Sequence, residues 1–306
     1  MAMQPRIKIR ALAAVGAAAL AVTTLVALAP SGSAAPNASA PAPVRAGSVY
    51  LALGDSVPFG YREAQSTPTP DYTNASKLVG YPTLIADDLD LHVVNAACPG
   101  ETTTSMINTS RPDHGCNASA TGGPGYRTAG FPLHVKYTGS QLNFAMKFLK
   151  SHPNTKLVTL QIGANDGLVC QETTADHCAS QQELGAVLAG IGKHVATILH
   201  RLRSTGYKGQ LVIMNYYSIN SASNDATANS LAVNATIANA AKPYNVTIAD
   251  AFNLFLRASR NAPHKDTCAA GLLTILQGAD TPCGIHPSYA GQAVLATAAE
   301  RVISKS

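Results

Sequence analysis

Short apolar runs alternate with helical hydrophobic patterns along most of the chain. The runs are rich in β-branched residues and end in turn-forming residues, as buried strands do. They predict strands at 49–53, 92–97, 156–163, 210–215 and 245–250. Apolar residues at helical spacing predict helices at 81–89, 140–150, 181–203, 227–242, 251–259 and 288–304. Because strands that alternate with helices form a parallel sheet covered on both faces, we expect an α/β fold. It should be a three-layer α/β/α domain with a central parallel sheet of about five strands.

Polar turns follow the first three predicted strands. Ser56 comes after the first strand, Gly100 lies in the turn after the second, and Asn165 follows the third. A further polar loop, just before the last predicted helix, carries His286. In open α/β sheets, ligands bind outside the carboxyl ends of the strands. This edge should therefore collect a hydroxyl, a glycine N–H, a carboxamide and an imidazole.

These four groups are the parts required for acyl transfer through a tetrahedral intermediate. A serine hydroxyl becomes a good nucleophile when a base takes its proton, and His286 is the candidate base for Ser56. The backbone N–H groups of Ser56 and Gly100 and the side-chain NH₂ of Asn165 can stabilise the oxyanion, each by on the order of 3 kcal/mol. Each sequence patch alone is also ordinary turn or loop chemistry.

The first 47 residues have the composition of an export signal followed by a leader. Three basic residues, Arg6, Lys8 and Arg10, precede an apolar run at 11–29 and then small residues. This pattern predicts a signal peptide over 1–34, cleaved after Ala34. A retained membrane anchor is the alternative. Residues 35–47 are rich in Ala and Pro and predict a disordered leader, so the folded domain should span 48–306.

Charge and cysteine content narrow the function classes. The net charge of +5 is not gathered into a basic patch, which excludes a typical nucleic-acid binder. An even number of cysteines in an exported chain indicates disulfides, and six cysteines allow 15 pairings. Sequential pairing is the simplest of these, because each pair then closes a short loop. No C-x-x-C pair is present, so a zinc site is a weak alternative.

The four polar motifs resemble those of the SGNH superfamily of GDSL-type esterases and lipases. The motifs are Gly54-Asp55-Ser56, Gly100, Gly163-Ala164-Asn165-Asp166 and His286-Pro287. They occur in the order typical of that superfamily and span about residues 48–306. The sequence is most similar to secreted actinobacterial GDSL lipases and esterases.

This resemblance implies a flavodoxin-like SGNH hydrolase fold, with Ser56 and His286 as catalytic residues and Ser56, Gly100 and Asn165 as the oxyanion hole. It implies no cofactor, no metal and no nucleic-acid partner. The substrate would be a small-molecule or lipid ester, and the protein a secreted monomer without a stable membrane anchor after signal cleavage. It also implies three sequential disulfides, which are Cys98–Cys116, Cys170–Cys178 and Cys268–Cys283.

One position departs from the family pattern. The superfamily usually has an aspartate three residues before the histidine, but Cys283 stands there in this chain. The resemblance to relatives that use a Ser-His dyad implies that a backbone carbonyl, of Cys283 or Gly284, orients the imidazole. Asp280 is the alternative orienting acid.

The sequence therefore predicts a secreted serine ester hydrolase, which is an esterase or lipase, and phospholipids are among its candidate substrates. A carbohydrate-directed acetyl esterase is the alternative within the same chemistry. A catalytically silent binding domain on the same fold is the alternative from another class, and it would leave Ser56 unmodified by a phosphonate.

Overall fold

A five-stranded parallel sheet forms the centre of the fold. The computed structural model describes residues 41–278 and 282–306. The strands of this sheet are β1 Val49–Gly54, β2 His92–Asn95, β3 Thr155–Gln161, β4 Gln210–Met214 and β5 Thr247–Ala249. Their order is β2-β1-β3-β4-β5. The expected parallel sheet and α/β/α class are confirmed, and the strand order is that of flavodoxin-like folds.

Helices cover both faces of this sheet. In the described residues the α-helices are α1 Ser56–Phe59, α2 Tyr81–Leu89, α3 Thr103–Ile107, α4 Gln141–Ser151, α5 Ala164–Thr173, α6 Gln181–Arg203, α7 Asn224–Ala241, α8 Ala251–Ala258 and α9 Tyr289–Glu300. Short 3₁₀ helices lie at Ala75–Lys77, Lys242–Tyr244, Ser259–Asn261 and Pro263–Lys265. A separate antiparallel pair consists of β6 Leu273–Ile275 and β7 Cys283–Pro287. None of the helices in the described residues is long and apolar enough to cross a membrane.

Strand β1 contributes to two hydrophobic cores because successive side chains of a strand point to opposite faces. Tyr50 and Ala52 pack in the core that contains residues of α2, α8 and α9. Leu51 and Leu53 pack in the core that contains residues of α4, α6 and α7. All four residues are fully buried. A strand covered on both faces has a continuous apolar sequence, which explains the run that ends at Gly54.

The strand order places a switch point at the carboxyl end of β1. The chain runs from β1 to β2 on one side of it and then returns to β3 on the other side. Loops that leave neighbouring strands in opposite directions open a crevice between them, where ligands bind in such sheets. Asp55 and Ser56 come directly after β1, at the edge of this crevice.

Three segments differ from the sequence expectation. The segment around His286, expected as a loop, forms the strand β7 and pairs with β6. Residues 41–47, expected in a disordered leader, are part of the fold, because Val44 is buried and its N–H donates to the Ser304 carbonyl at 2.8 Å. The Asn165-Asp166-Gly167 stretch, expected as a turn, lies in the first turns of α5. The predicted signal peptide and most of the leader, residues 1–40, lie outside the described residues.

Candidate active site

Ser56 is held at the end of β1 by a tight strand-to-helix junction. The Asp55 carboxylate caps α1 by accepting a hydrogen bond from the Val57 N–H at 3.0 Å. Gly54 has a φ of 136°, and a Cβ there would lie 2.0 Å from the Gln161 carbonyl oxygen of β3. Glycine is therefore required at position 54 for the two strands to remain adjacent. The junction leaves Ser56 with 7% of its surface exposed at the start of α1.

Asp55 is a buried acid with a structural role. Burial raises the pKa of Asp55 to about 6, although hydrogen bonds from the Tyr216 hydroxyl and the Val57 N–H oppose this rise. Both partners hold the carboxylate away from the imidazole, and no hydrogen bond joins it to His286 in the described residues. Asp55 thus fixes the direction in which the chain leaves β1 rather than orienting the base.

His286 reaches Ser56 from β7. Its Nε2 lies 2.9 Å from the Ser56 Oγ, across 230 residues of sequence. The Tyr61 ring packs edge-on against the imidazole, with 4.9 Å between ring centroids. The structure therefore brings together the two residues that the sequence singled out as nucleophile and base, in the geometry that proton transfer requires.

The Glu63 side chain orients the imidazole. Its Oε1 lies 2.8 Å from the His286 Nδ1, and the same oxygen accepts from the Ile285 N–H at 2.7 Å. Its Oε2 accepts from the Thr274 hydroxyl at 2.5 Å. Burial alone would raise the pKa of Glu63, but the hydrogen bonds from His286 and Thr274 and the charge of His286 lower it to about 2. Glu63 is therefore an ionised carboxylate at neutral pH, and it completes a Ser–His–Glu chain of hydrogen bonds.

This arrangement differs from the sequence expectation that the carbonyl of Cys283 or Gly284 orients His286. The hydrogen-bond partner of Nδ1 is a side chain from the loop after α1. Gly284 instead makes room for that side chain, since a Cβ at position 284 would lie 2.1 Å from the Glu63 Oε1. Asp280, the alternative acid, lies outside the described residues. The sequence did carry one usable signal, because Glu63 is the only acidic residue between Ser56 and Asp71.

Two backbone N–H groups are available for an oxyanion. Within the described residues, the N–H groups of Ser56 and Gly100 donate to no protein acceptor. Gly100 has a φ of 80°, and a Cβ there would lie 2.5 Å from the His114 carbonyl oxygen. Only glycine fits this turn, so the motif that identified Gly100 in the sequence has a steric cause.

Asn165 is buried in the first turn of α5, with its carboxamide tied to the same turn. Its Nδ2 donates to the Glu101 carbonyl at 2.8 Å, next in the chain to Gly100. One N–H of that NH₂ group is thereby used and fixes the amide plane, and the other is available to a ligand. The neighbouring Asp166 accepts from the Thr103 N–H at 2.9 Å and so ties α5 to α3.

A buried polar network joins the Gly100 turn to the end of β1. The Gln141 carboxamide accepts from the Gly54 N–H at 2.7 Å and donates to the Gly54 carbonyl at 2.9 Å. The same side chain lies 3.2 Å from the Glu101 carboxyl group. Burial raises the pKa of Glu101 to about 8, so this carboxyl group is largely protonated at neutral pH. The network couples the nucleophile junction to the turn that carries the Gly100 N–H.

Three disulfides lie close in sequence to the groups described above. The bonded pairs are Cys98–Cys116, Cys170–Cys178 and Cys268–Cys283, which are the sequential pairs that the resemblance implied. In the described residues, the two side-chain groupings with metal-ligand proximity each consist of one of these disulfides and a glutamate. Disulfide sulfurs are not thiolates, so these groupings do not fit a zinc site.

Comparisons with known proteins agree with this architecture. The sequence profile of the GDSL-like Lipase/Acylhydrolase family matches residues 52–294. The comparison with curated proteins found no match. Solved structures of the same fold include phospholipase A1 from Streptomyces albidoflavus NA297, with 17% identity and a TM-score of 0.52 over 84% of this chain and 99% of that one. They also include the acetylxylan esterase Axe2 from Geobacillus stearothermophilus, with 16% identity and a TM-score of 0.51 over 87% and 98%.

Proposed function

This chain belongs to the GDSL-like lipase/acylhydrolase family, and on that basis we propose that it hydrolyses carboxylic esters through an acyl-enzyme on Ser56. The observation that carries the proposal is the unbroken chain of hydrogen bonds from Ser56 through His286 to Glu63. A serine placed this way is activated by a base that is itself oriented by a carboxylate.

In the first half-reaction, the Ser56 Oγ attacks the ester carbonyl while the His286 Nε2 takes the hydroxyl proton. The imidazolium that forms is stabilised by the ionised Glu63, which holds Nδ1–H and therefore keeps Nε2 directed at the serine. The tetrahedral intermediate collapses when the C–O bond of the alcohol breaks and His286 returns the proton to the leaving oxygen. The products are the free alcohol and an ester of Ser56.

In the second half-reaction, water attacks the acyl-enzyme and His286 accepts its proton. The bond between the acyl carbon and the Ser56 Oγ then breaks, His286 returns the proton to that oxygen, and the carboxylic acid leaves. In both steps, negative charge develops on the carbonyl oxygen. The proposed donors to that oxygen are the N–H groups of Ser56 and Gly100 and the free N–H of the Asn165 carboxamide. Each is held by a fixed turn or helix start, so it does not need to reorient when the charge appears.

The surroundings of His286 favour an ester with an apolar or aromatic group. Tyr61, whose ring packs on His286, stacks on Tyr72 with 5.3 Å between centroids. Tyr72 in turn contacts Phe131, which is 37% exposed. This row of rings leads from the imidazole to the surface and offers apolar area to an acyl chain or to a nitrophenyl group.

Export is also part of the proposal. Three disulfides in a chain of this size are typical of proteins that fold in an oxidising compartment. The basic and apolar stretch before Ala34 supplies the corresponding signal sequence. With cleavage after Ala34, the exported enzyme would begin at residue 35 and would include Val44, whose contact with Ser304 makes it part of the folded domain.

Turnover of p-nitrophenyl esters by wild type and Ser56→Ala tests the function. The variant should lose ester hydrolysis to near the background rate, and a fluorophosphonate should add its mass to wild type alone. Ser110→Ala, which changes an exposed serine, is the matched control and should behave as wild type. Retention of turnover by Ser56→Ala, with an unchanged thermal midpoint, would exclude Ser56 as nucleophile. An acyl-chain series with a phospholipid and an acetylated sugar then assigns the substrate class.

A further inference from the structure

Arg62 lies between two residues that contact the catalytic histidine. Tyr61 packs on the His286 ring and Glu63 binds its Nδ1. Arg62 itself is 92% buried, since only 8% of its surface is exposed. Its Cζ stands 4.8 Å from the centroid of the Tyr289 ring, a side chain that is 51% exposed. A mostly buried arginine therefore stands beside the candidate active site, with its guanidinium against a half-exposed ring.

The guanidinium of Arg62 makes no hydrogen bond and no salt bridge with any described residue. Two other arginines in the structure also stack on tyrosines, and both are well satisfied. Arg127, over Tyr137, donates to three oxygens, and Arg203 donates to four backbone carbonyls. The Arg62 guanidinium carries a full charge and five N–H donors, and none of these donors has an acceptor among the described residues. The arrangement at Arg62 is thus suited to an acceptor that comes from outside the protein.

The local potential favours an anion as that acceptor. Glu63, the nearest acid in sequence, is already engaged by His286, Thr274 and the Ile285 N–H. Tyr289 is the first residue of α9, and the N–H groups of residues 289 and 290 donate to no acceptor among the described residues. The partial positive charge of this helix start adds to the charge of the guanidinium.

We propose that Arg62, held flat by Tyr289, binds an anionic group of the ester substrate. This inference rests on the proposed function and narrows it to esters that carry a carboxylate or a phosphate apart from the scissile bond. A planar guanidinium binds either group through two parallel hydrogen bonds. Tyr289 lies three residues after His286, a distance that even an extended chain covers within about 10 Å. This closeness in the chain is the ground for expecting one substrate to contact Ser56 and Arg62 together.

Matched pairs of esters test this proposal. Mono-p-nitrophenyl succinate and p-nitrophenyl butyrate share a leaving group and a four-carbon acyl chain, and differ in one carboxylate. Butyrylglycerol 3-phosphate and monobutyrin differ in one phosphate. The quantity measured is kcat/KM for the charged ester divided by kcat/KM for its neutral partner. Arg62→Gln should lower this ratio by about tenfold or more for at least one pair, because it removes a charge-assisted hydrogen bond. Arg260→Gln, which removes an exposed arginine, should leave both ratios at the wild-type value.

The two pairs separate the two kinds of anion. A ratio that falls only for the succinate pair assigns a carboxylate, and one that falls only for the glycerol phosphate pair assigns a phosphate. Arg62→Lys keeps the charge but not the planar pair of donors, so it should give an intermediate ratio. Tyr289→Leu removes the ring that holds the guanidinium flat and should also lower the ratio. Ratios that remain within twofold of wild type in all three variants overturn the proposal.

A binding measurement keeps this test independent of catalysis. Isothermal titration of Ser56→Ala protein with inorganic phosphate and with succinate should show binding that is lost in the Ser56→Ala/Arg62→Gln double variant. Circular dichroism melting of each variant establishes that the fold is retained. If wild type hydrolyses none of the esters, the proposed function fails, and the titration alone then decides the role of Arg62. Equal binding by the single and double variants overturns the proposal.

Discussion

Glu63 and His286 are 223 residues apart in the chain, yet the Glu63 Oε1 lies 2.8 Å from the His286 Nδ1. The acid in the site therefore comes from the loop that follows the nucleophile. In the family pattern considered above, it would precede the histidine by three residues, where this chain has Cys283. The site thus keeps the three groups of a serine–histidine–acid triad while changing the segment that supplies one of them.

Glu63→Gln should lower kcat by about 10²- to 10⁴-fold, because the imidazolium loses the negative charge that stabilises it and the tautomer of His286 is no longer fixed by a carboxylate. Steady-state kinetics with p-nitrophenyl butyrate measure this effect. Asp280→Asn is the control and should retain most of the wild-type kcat. If Asp280→Asn is inactive and Glu63→Gln is close to wild type, Asp280 and not Glu63 orients His286.

Asn165→Ala should lower kcat by about 10²- to 10³-fold with a smaller change in KM, because the lost donor acts on charge that develops in the transition state. The substitution also removes the hydrogen bond to the Glu101 carbonyl, so thermal melting should accompany the kinetics. Asn154→Ala, at an exposed turn, is the control. An effect confined to KM would show that Asn165 contributes to substrate binding in the ground state instead.

Replacing Cys268 and Cys283 together by serine should lower kcat more than the same change at Cys170 and Cys178. The first disulfide closes a separation of 15 residues and ends three residues before His286. The second closes a separation of 8 residues. In the chain-entropy description, a loop of about 15 residues corresponds to about 3 kcal/mol of stability, so both transitions should also shift in urea. Equal kcat values for the two double variants would show that β7 keeps its position without the covalent link.

Glu101→Gln should stabilise the protein increasingly as the pH rises. Burial raises the pKa of Glu101 to about 8, above its usual value near 4.5. The favourable contribution of the protonated acid is therefore complete below about pH 4.5 and is lost as the pH rises through about 8. Glutamine keeps the shape without titrating. Urea unfolding of both proteins from pH 4.5 to 9 measures this, and a stability difference that does not change with pH would contradict it.

Much of the fold could be predicted because local patterns and tertiary packing agree. The helix at 181–203 has the same bounds in the structure, where Ile191, Val195 and Leu199 lie buried at helical spacing. The predicted starts of the five strands lie within two residues of the starts in the structure. Ser56 could be placed at this edge because it follows a strand whose direction the pattern defines, whereas His286 was assigned to it from its loop position and its chemistry.

The remaining features depend on contacts between distant segments. Glu63 lies in a loop without periodicity, and only the contact with His286 distinguishes it from a surface acid. The start of α5 has the residues of a turn, but Asn165 and Asp166 have hydrogen-bond partners in the 101–103 segment that hold them in a helix. Residues 41–47 have a linker composition, and their order comes from pairing with the segment around Ser304.

Because both nitrogens of His286 depend on residues 56 and 63, a small hinge movement of the β6–β7 pair would break nucleophile activation and imidazole orientation in the same event. Partial displacement of this pair would not produce a half-active enzyme. The rate of ester turnover would therefore report the position of the β6–β7 pair. During heating, this rate would decline before the central sheet begins to melt.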